Sequence, residues 1–196
     1  MAHSDPGTPD WCAMRDTYCS HCGTAYVPPL KYPRRCPKPG CGVEVWSNPL
    51  PVAVALVPVV HASGTGLLVV RRGIEPGRGK LALVGGFAES HETWQQAAAR
   101  EVREEAGAVI DAERIECFWF TSTAPRPDRV LLFGVAASMD AAALPAQPET
   151  EEVSERGLVF GPGGLAEVFA FPLHARAAEM YFARAGLTGP HRFTRA

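Results

Sequence analysis

Two groups of residues in this 196-residue chain have types and spacings that suit metal chemistry. The first is a set of cysteines: two residues stand between Cys19 and Cys22, and four stand between Cys36 and Cys41. Two close pairs joined by a loop are typical of a tetrahedral zinc site, because each pair chelates from its own turn. The spacing predicts a structural zinc ribbon over residues 18–49. Four unrelated buried thiols are the alternative.

The second group consists of Glu92, Glu101, Glu104 and Glu105. If this region is helical, the last three lie within an arc of about 100°, where like charges repel one another. Carboxylate oxygens on one rigid face are the ligands that Mg²⁺ and Mn²⁺ prefer in phosphate chemistry. The cluster therefore indicates a site for one of these ions, with a solvated acidic helix face as the alternative.

The elements that must position these groups follow from composition. Residues 93–106 lack Gly and Pro and are rich in helix formers, and Gly107 stands where a helix would end. A second helix is predicted over 174–184, and apolar or β-branched runs predict strands over 52–60, 67–72, 115–121 and 130–136. This irregular alternation predicts an α/β fold with a mixed sheet between helices.

The glutamates belong to a longer pattern, Gly86-x5-Glu92-x7-Arg100-Glu101-Val102-x-Glu104-Glu105-x-Gly107-Ala108. This stretch resembles the Nudix box, G-x5-E-x7-R-E-U-x-E-E-x-G-U, in which U is a bulky or aliphatic residue. Every fixed position is met, and only Ala108 is small for its place. Nearby, Val84 stands where a proline is usual, and His91 stands where many members have a glycine.

The resemblance implies a Nudix α/β/α sandwich and a Mg²⁺- or Mn²⁺-dependent hydrolase that cleaves a nucleoside diphosphate linked to another moiety. It implies that Glu101, Glu104 and Glu105 are the principal metal ligands, and that one of them activates the nucleophile. Arg100 would pair with a box carboxylate and orient it. Glu92 and Glu89 would support the site or hold an outer metal.

Substrate contacts are predicted from several further positions. Gly85 and Gly86 let a phosphate approach the backbone, and Glu152 is the preferred extra carboxylate among Glu151, Glu152 and Glu155. Arg71 and its neighbour Arg72 are basic candidates, while Arg126 and Arg129 are candidates for a phosphate or ribose. The candidate stacking surfaces for a base are Phe118 and Phe120, with Trp119 and Phe171 as further possibilities. Core packing or plain surface exposure is the alternative for each of these side chains.

A zinc ribbon before a Nudix domain also occurs in the NADH pyrophosphatases, but their Ser-Gln-Pro-Trp-Pro-Phe-Pro-x-Ser array is absent: residues 117–125 read CFWFTSTAP. Ribbon-bearing members that act on ADP-ribose and FAD are more similar, through Asn48-Pro49 and Ala170-Phe171. The expected substrate is therefore ADP-ribose, FAD or a related dinucleotide, giving a nucleoside monophosphate and a phosphorylated remainder. The alternatives are a nucleotide-sensing or RNA- or protein-binding module, or processing of nucleotide-capped RNA. An RNA-linked substrate stays an alternative because the ribbon contains four basic residues, Lys31, Arg34, Arg35 and Lys38.

The overall composition bounds the remaining choices. A net charge of −2 gives no general reason for nucleic-acid binding, which is therefore not favoured, and 46% hydrophobic residues suit a folded domain. The first ten residues are polar, and the longest apolar run is far shorter than the roughly 20 residues of a membrane helix. We expect a cytoplasmic protein with no membrane partner, a small-molecule nucleotide substrate, and a homodimer as an open possibility. The expected order is a flexible tail (1–17), the zinc ribbon (18–49), the Nudix domain (50–186) and a C-terminal tail (187–196).

Overall fold

The computed structural model of the protein describes residues 17–125, 127–148 and 150–196. The chain divides into two compact units between Asn48 and Pro49, one residue from the predicted border between ribbon and Nudix domain. Apart from Thr17, the predicted flexible tail lies outside the described residues.

The first unit is built from turns around a small interior. Strands β1 (Arg34–Arg35) and β2 (Glu44–Val45) form an antiparallel two-stranded sheet. Its buried hydrophobic cluster consists of Cys19, Tyr26 and Cys36, with a few half-buried neighbours. An apolar interior of this size does not stabilise a fold by itself, so a cross-link such as a bound metal is expected.

The second unit is organised by one large mixed sheet. Its strands run in the order β11-β10-β5-β6-β3-β8-β7, and β4 pairs with β5 and with β9. The β3–β8 and β4–β9 pairs are parallel, whereas the other pairs are antiparallel. The strands are β3 (Leu50–Leu56), β4 (Pro58–His61), β5 (Gly64–Arg72), β6 (Leu81–Phe87), β7 (Glu116–Ser122), β8 (Arg129–Val135), β9 (Met139–Asp140), β10 (Val153–Phe160) and β11 (Arg192–Arg195).

In the described residues three α-helices accompany the sheet: α1 (Trp94–Ala106), α2 (Leu165–Val168) and α3 (Pro172–Arg184), with 3-10 turns at 112–114 and 141–143. Helix α1 begins at a capping box, in which the side chains of Thr93 and Gln96 each accept a hydrogen bond from the backbone N–H of the other residue. It ends at Gly107, whose φ of 71° is left-handed, so both ends lie where the sequence predicts. Within the described ranges, no helix has the length and apolar character needed to cross a bilayer.

The core lies on both faces of the sheet because side chains alternate along each strand. On β3, Ala53 and Ala55 pack in the cluster that contains Val102 of α1. The residues that alternate with them, Val54 and Leu56, belong to the cluster that contains Ala178 and Phe182 of α3. The sheet is therefore sandwiched between α1 and α3, which confirms the predicted α/β/α architecture.

Within the segment expected to be a C-terminal tail, residues 192–195 form the edge strand β11, which pairs with β10. Beside this pairing, Arg156 is only 3% exposed. Its guanidinium donates hydrogen bonds to the carbonyl oxygens of Ala106, Pro145 and Ala196, at 2.6, 2.7 and 3.2 Å. The buried cation thus ties the end of α1 to a loop and to the residue after β11. No local pattern in the sequence marks Arg156 for this role.

Candidate functional site

Arg100 organises the carboxylates of the box. Its Nη1 lies 2.8 Å from Oε1 of Glu101 and 3.1 Å from Oε2 of Glu104, one turn further along α1. Its Nη2 donates to Oε1 of Glu92 at 2.9 Å and to the carbonyl of Phe87 at 3.0 Å. These bonds, above all those to Glu92, raise the pKa of Arg100 and lower that of Glu92. The arginine therefore fixes the carboxylates relative to the end of β6.

Glu92 also closes the turn before α1. Its Oε1 accepts the backbone N–H of Glu89 at 2.7 Å, so both of its carboxylate oxygens are engaged in hydrogen bonds, and its part in metal binding stays a prediction. The side chain of Glu89 is exposed, and its part in metal binding stays a prediction. In the same turn His91 has φ of 75°, a backbone conformation that glycine adopts at little cost.

Two glycines of β6 bring backbone against the carboxylates of Glu101 and Glu105. A Cβ atom at Gly86 would collide with the carboxylate of Glu101, so only glycine permits this approach. The carboxylate of Glu105 accepts a hydrogen bond from the backbone of Gly85. The predicted glycines thus lie beside the predicted ligands.

Glu105 is the most perturbed carboxyl of this cluster. Burial, together with the charges of Glu101 and Glu152, raises the pKa of Glu105 to about 8, against the opposing effects of Gly85 and Arg72. Burial also raises the pKa of Glu101, and Glu104 and Glu152 add to that effect. Glu152, the extra carboxylate expected from beyond the box, is therefore close enough to raise the pKa of both Glu101 and Glu105.

Excess negative charge among hard oxygen donors fits a divalent cation such as Mg²⁺ or Mn²⁺. The oxygens are, however, more widely spread than a compact ligand set. In the part of the chain that the structure describes, the four cysteines form the only group of three or more potential ligands whose atoms all lie within 4.8 Å of one another. Glu101 and Glu104 are both bonded to the same nitrogen of Arg100, Nη1.

The two neighbouring arginines of β5 have different surroundings. Arg71 Nε lies 2.6 Å from Oε2 of Glu155, its Nη1 donates to the carbonyl of Gly79, and it lies over the ring of Phe193. Arg72 lines a cavity beside the box, and its charge acts on Glu105. Arg71 is thus bonded elsewhere and does not line the cavity, whereas Arg72 and Arg129 do; a part of Arg71 in substrate binding stays a prediction.

The cavity has a volume of about 550 Å³, which suits a ligand of nucleotide size. One part of its wall is made by the box glycines, and another by the start of α3. Its lining consists of Val52, Arg72, Pro76, Gly85, Gly86, Phe87, Ser122, Thr123, Ala124, Arg129, Leu131, Phe171, Pro172, Leu173 and His174. Arg129 is thus brought to the cavity as expected, whereas Arg126 lies outside the described residues.

The aromatic residues of the cavity differ from those preferred from the sequence. Phe118 packs against the core and lies 4.2 Å from the guanidinium of Arg184, and Phe120 is 67% exposed on β7. Neither lines the cavity, which instead has Phe87 and Phe171 in its wall. Phe87 directly follows the two box glycines, and that position was the one available signal for it.

In the first unit the four cysteine side chains converge. The Sγ atoms of Cys19 and Cys41 are 3.8 Å apart, and those of Cys22 and Cys36 are 3.6 Å apart. Zn–S bonds of about 2.3 Å in a tetrahedron give sulfur–sulfur edges of about 3.8 Å. Hydrogen bonding with Thr24 lowers the pKa of Cys22 to about 6, which favours its thiolate, whereas burial raises the pKa of Cys36 to about 12. The geometry fits one tetrahedral ion, and all four cysteines are free thiols.

Comparison with known proteins places this architecture in a family. The NUDIX domain model matches residues 49–181. The human NAD-capped RNA hydrolase NUDT12 is 35% identical over 101 residues, which are 49% of this chain and 22% of that protein. The NAD-capped RNA hydrolase NudC of Deinococcus radiodurans is 29% identical over 136 residues, 69% of this chain and 46% of the relative. The chain spans less than half the length of these curated relatives.

Among solved structures, the NUDIX hydrolase from Nitrosomonas europaea superimposes with a TM-score of 0.58 at 25% identity. The match covers 89% of this chain and 96% of that one. The family model itself covers more than half of the chain, including the whole box and the arginine-organised carboxylates. The chain therefore belongs to the Nudix family.

Proposed function

We propose that the protein is a divalent-metal-dependent pyrophosphohydrolase acting on a nucleoside diphosphate linked to another moiety. The observation that carries this proposal is the carboxylate cluster that Arg100 organises beside a cavity of about 550 Å³. The expected substrates are ADP-ribose, FAD and related dinucleotides. The products are a nucleoside monophosphate and the phosphorylated remainder.

Metal binding, orientation of the carboxylates and proton transfer are assigned to different residues of the chain. Glu101, Glu104 and Glu105 would hold Mg²⁺ or Mn²⁺, with Glu152 as a further oxygen donor. When bound, the ion neutralises the pyrophosphate and lowers the pKa of a coordinated water. Arg100 orients the carboxylates through its bonds to three of them. Glu104 or Glu105 accepts the proton of the attacking water as one phosphorus–oxygen bond forms and the bridging bond breaks.

The cavity supplies the groups that orient a substrate. Gly85 and Gly86 expose backbone beside the carboxylates, so a phosphate can approach without meeting a side chain. Arg72 adds a positive charge within the electrostatic reach of Glu105. Phe171 lies beneath the Arg72 guanidinium, 4.9 Å from it, and offers a flat apolar surface for a base.

The first unit has a different role in this proposal. Cys19, Cys22, Cys36 and Cys41 would hold one structural Zn²⁺, because four thiolates complete a tetrahedral shell and leave no place for a substrate. The ion would stabilise a unit whose apolar interior is too small to fold by itself.

A panel of pyrophosphate compounds tests the enzymatic proposal. ADP-ribose, FAD, NADH, diadenosine polyphosphates and nucleoside triphosphates are assayed with Mg²⁺ and with Mn²⁺, and the products are identified by chromatography. We expect metal-dependent release of a nucleoside monophosphate. Cleavage of none of them with either metal would refute the proposal.

Variants then connect the activity to the carboxylates. Glu104→Gln and Glu105→Gln should each lower kcat by about 10²–10⁴-fold, since each removes a metal ligand and a proton acceptor. Glu113→Gln is a matched control, because Glu113 is exposed in the 3-10 turn at 112–114. Wild-type turnover in both box variants would exclude this site as the catalytic centre.

A nucleotide-capped RNA is the second candidate substrate. The human and Deinococcus radiodurans relatives are both NAD-capped RNA hydrolases. In the ribbon, Lys31, Arg35 and Lys38 are exposed, whereas Arg34 is buried between the rings of Tyr26 and Tyr32. Binding of a short capped RNA that weakens steeply with salt would support this substrate, because phosphate contacts release counterions. Equal affinity for the free dinucleotide and the capped RNA would exclude a role for the RNA body.

A further inference from the structure

His174 is a buried polar residue that the carboxylate chemistry does not use. It lies in the first turn of α3, is 6% exposed, and lines the cavity. Its ring centroid is 5.0 Å from that of Phe171 and 5.8 Å from that of Phe133. Packing between two aromatic side chains does not by itself require a polar ring at this place in the cavity wall.

The two nitrogens of this imidazole are not equivalent. The ring hydrogen-bonds the backbone of Leu83, and burial, with the charge of Arg72 adding to it, lowers the pKa of His174 to about 4. The ring is therefore neutral at pH 7, and the nitrogen facing the Leu83 carbonyl carries the hydrogen. Nδ1 is then an unprotonated acceptor, and it has no hydrogen-bond partner among the described residues.

A buried acceptor without a partner is costly, so a site that retains one needs an explanation. The neighbouring groups limit what ligand can satisfy it. Phe171 offers a flat aromatic face, and Arg72 lies over that ring. Elsewhere in the same cavity, Gly85 and Gly86 adjoin the carboxylate cluster. A ligand that fits both parts combines phosphates with a planar ring that carries an N–H donor.

We propose that the His174 part of the cavity binds the base of the nucleotide, and that Nδ1 of His174 accepts a hydrogen bond from the exocyclic amine of a 6-aminopurine. This inference rests on the proposed function for the placement of the phosphates. It makes His174 a specificity-determining residue, because hypoxanthine places a carbonyl oxygen where adenine has its amine. Two acceptors would then face each other, and neither would be satisfied.

The test compares AMP with IMP, whose bases differ in the group at position 6 and in the hydrogen that hypoxanthine carries on the adjacent N1. Calorimetric titration of the full chain should give about tenfold or tighter binding of AMP, the value of one hydrogen bond. His174→Phe keeps an aromatic ring between Phe133 and Phe171 but has no acceptor. It should weaken AMP binding about tenfold, leave IMP nearly unchanged, and so abolish the preference. His174→Asn, which can place an oxygen near the Nδ1 position, should retain part of it.

A matched control is His61→Phe, since His61 is a half-buried histidine on β4 that lies beside Phe160 and outside the cavity lining. It should preserve the wild-type preference. Because the preference is a ratio of two affinities measured on one preparation, partial unfolding of a variant does not alter it. Thermal unfolding of each variant checks that a folded fraction is present.

Three results would overturn the inference: wild-type protein that binds AMP and IMP equally, wild-type protein that binds neither, or a His174→Phe variant that retains the full preference. The proposed function can fail while this inference stands. That is the result if no pyrophosphate compound is cleaved, AMP still binds more tightly than IMP, and the His174→Phe variant loses that preference. If ADP-ribose is cleaved but AMP and IMP bind equally, the proposed function stands and His174 is not a specificity-determining residue.

Discussion

The cysteine cluster and the glutamate cluster both consist of acidic groups that become anionic when they lose a proton, yet the two clusters are organised in opposite ways. The four sulfurs lie within 4.8 Å of one another, so the set is closed around a single point. The glutamates are spread along α1 and beside a cavity, and an arginine holds three of them in separate bonds. A closed shell of soft ligands suits a structural ion, whereas spread oxygen donors next to a cavity can share an ion with a substrate.

The largest expected effect tests the structural half of this comparison. Replacing Cys22 and Cys36 by serine should abolish binding of one zinc ion per chain, and with it an apparent folding free energy of about 10 kcal/mol or more. Elemental analysis should give one zinc in wild-type protein. Amide exchange over residues 17–48 should become fast in the variant.

Cys117→Ser provides the control, because Cys117 is exposed and lies outside the cluster. This variant should retain the zinc and the slow exchange. If the zinc-free double variant kept slow exchange over 17–48, the ion would not be the structural element of this unit.

The second prediction concerns the organiser of the open cluster. Arg100→Lys should lower kcat about 10–100-fold, because an ammonium cannot reproduce the planar bonds to Glu92, Glu101 and Glu104. Arg103→Lys, an exposed change on the same helix, should leave kcat near the wild-type value. Equal turnover in the two variants would mean that the bonds of Arg100 do not position the carboxylates.

The third prediction contrasts two carboxylates three residues apart. Glu152→Gln should lower kcat about tenfold through lost metal binding, with little change in stability. Glu155 instead accepts bonds from Arg71 and Arg195, so Glu155→Gln should reduce the free energy of unfolding by about 1–2 kcal/mol with kcat retained. Kinetics and thermal unfolding of both variants measure the contrast, and the same effect from both changes would contradict it.

The Glu155 contribution should also depend on pH in a defined direction. Its bond to Arg71, reinforced by Arg195, lowers the pKa of Glu155 below the unfolded value. The stabilisation is therefore fully present above about pH 4.5 and is lost as the pH falls through the folded pKa. The stability difference between wild type and Glu155→Gln should narrow on acidification over that window.

The smallest expected effect concerns the turn before α1. His91→Gly should raise the free energy of unfolding by up to about 1 kcal/mol, because a left-handed backbone is costly for a residue with a side chain. Ser90→Gly should not stabilise, since Ser90 has no positive φ to relieve. Chemical denaturation compares the two. A loss of stability in His91→Gly would show that the histidine side chain makes a compensating contact.

Local signals in the sequence predicted much of the fold. The capping residues give both ends of α1, and the box fixes which glutamates share its face. The choice between Arg71 and Arg72 was beyond such signals, because neighbours on a strand point to opposite faces and only the pairing partners decide which face meets the cavity. For the same reason the sequence did not show that Phe87 and Phe171 line the cavity, whereas Phe118 and Phe120 do not. His174 and Arg156 are defined by groups distant in sequence, so no spacing marks them.

The three carbonyls bound by Arg156 have a consequence for how the domain opens. They belong to the end of α1, the loop around residue 145 and the residue after β11, segments that are far apart along the chain. Releasing any one of them leaves a buried cation short of a partner, so these segments should open as one cooperative unit in native-state exchange. Helix α1 carries Glu101, Glu104 and Glu105, so the rigidity of the candidate site is linked to the edge of the sheet at β11.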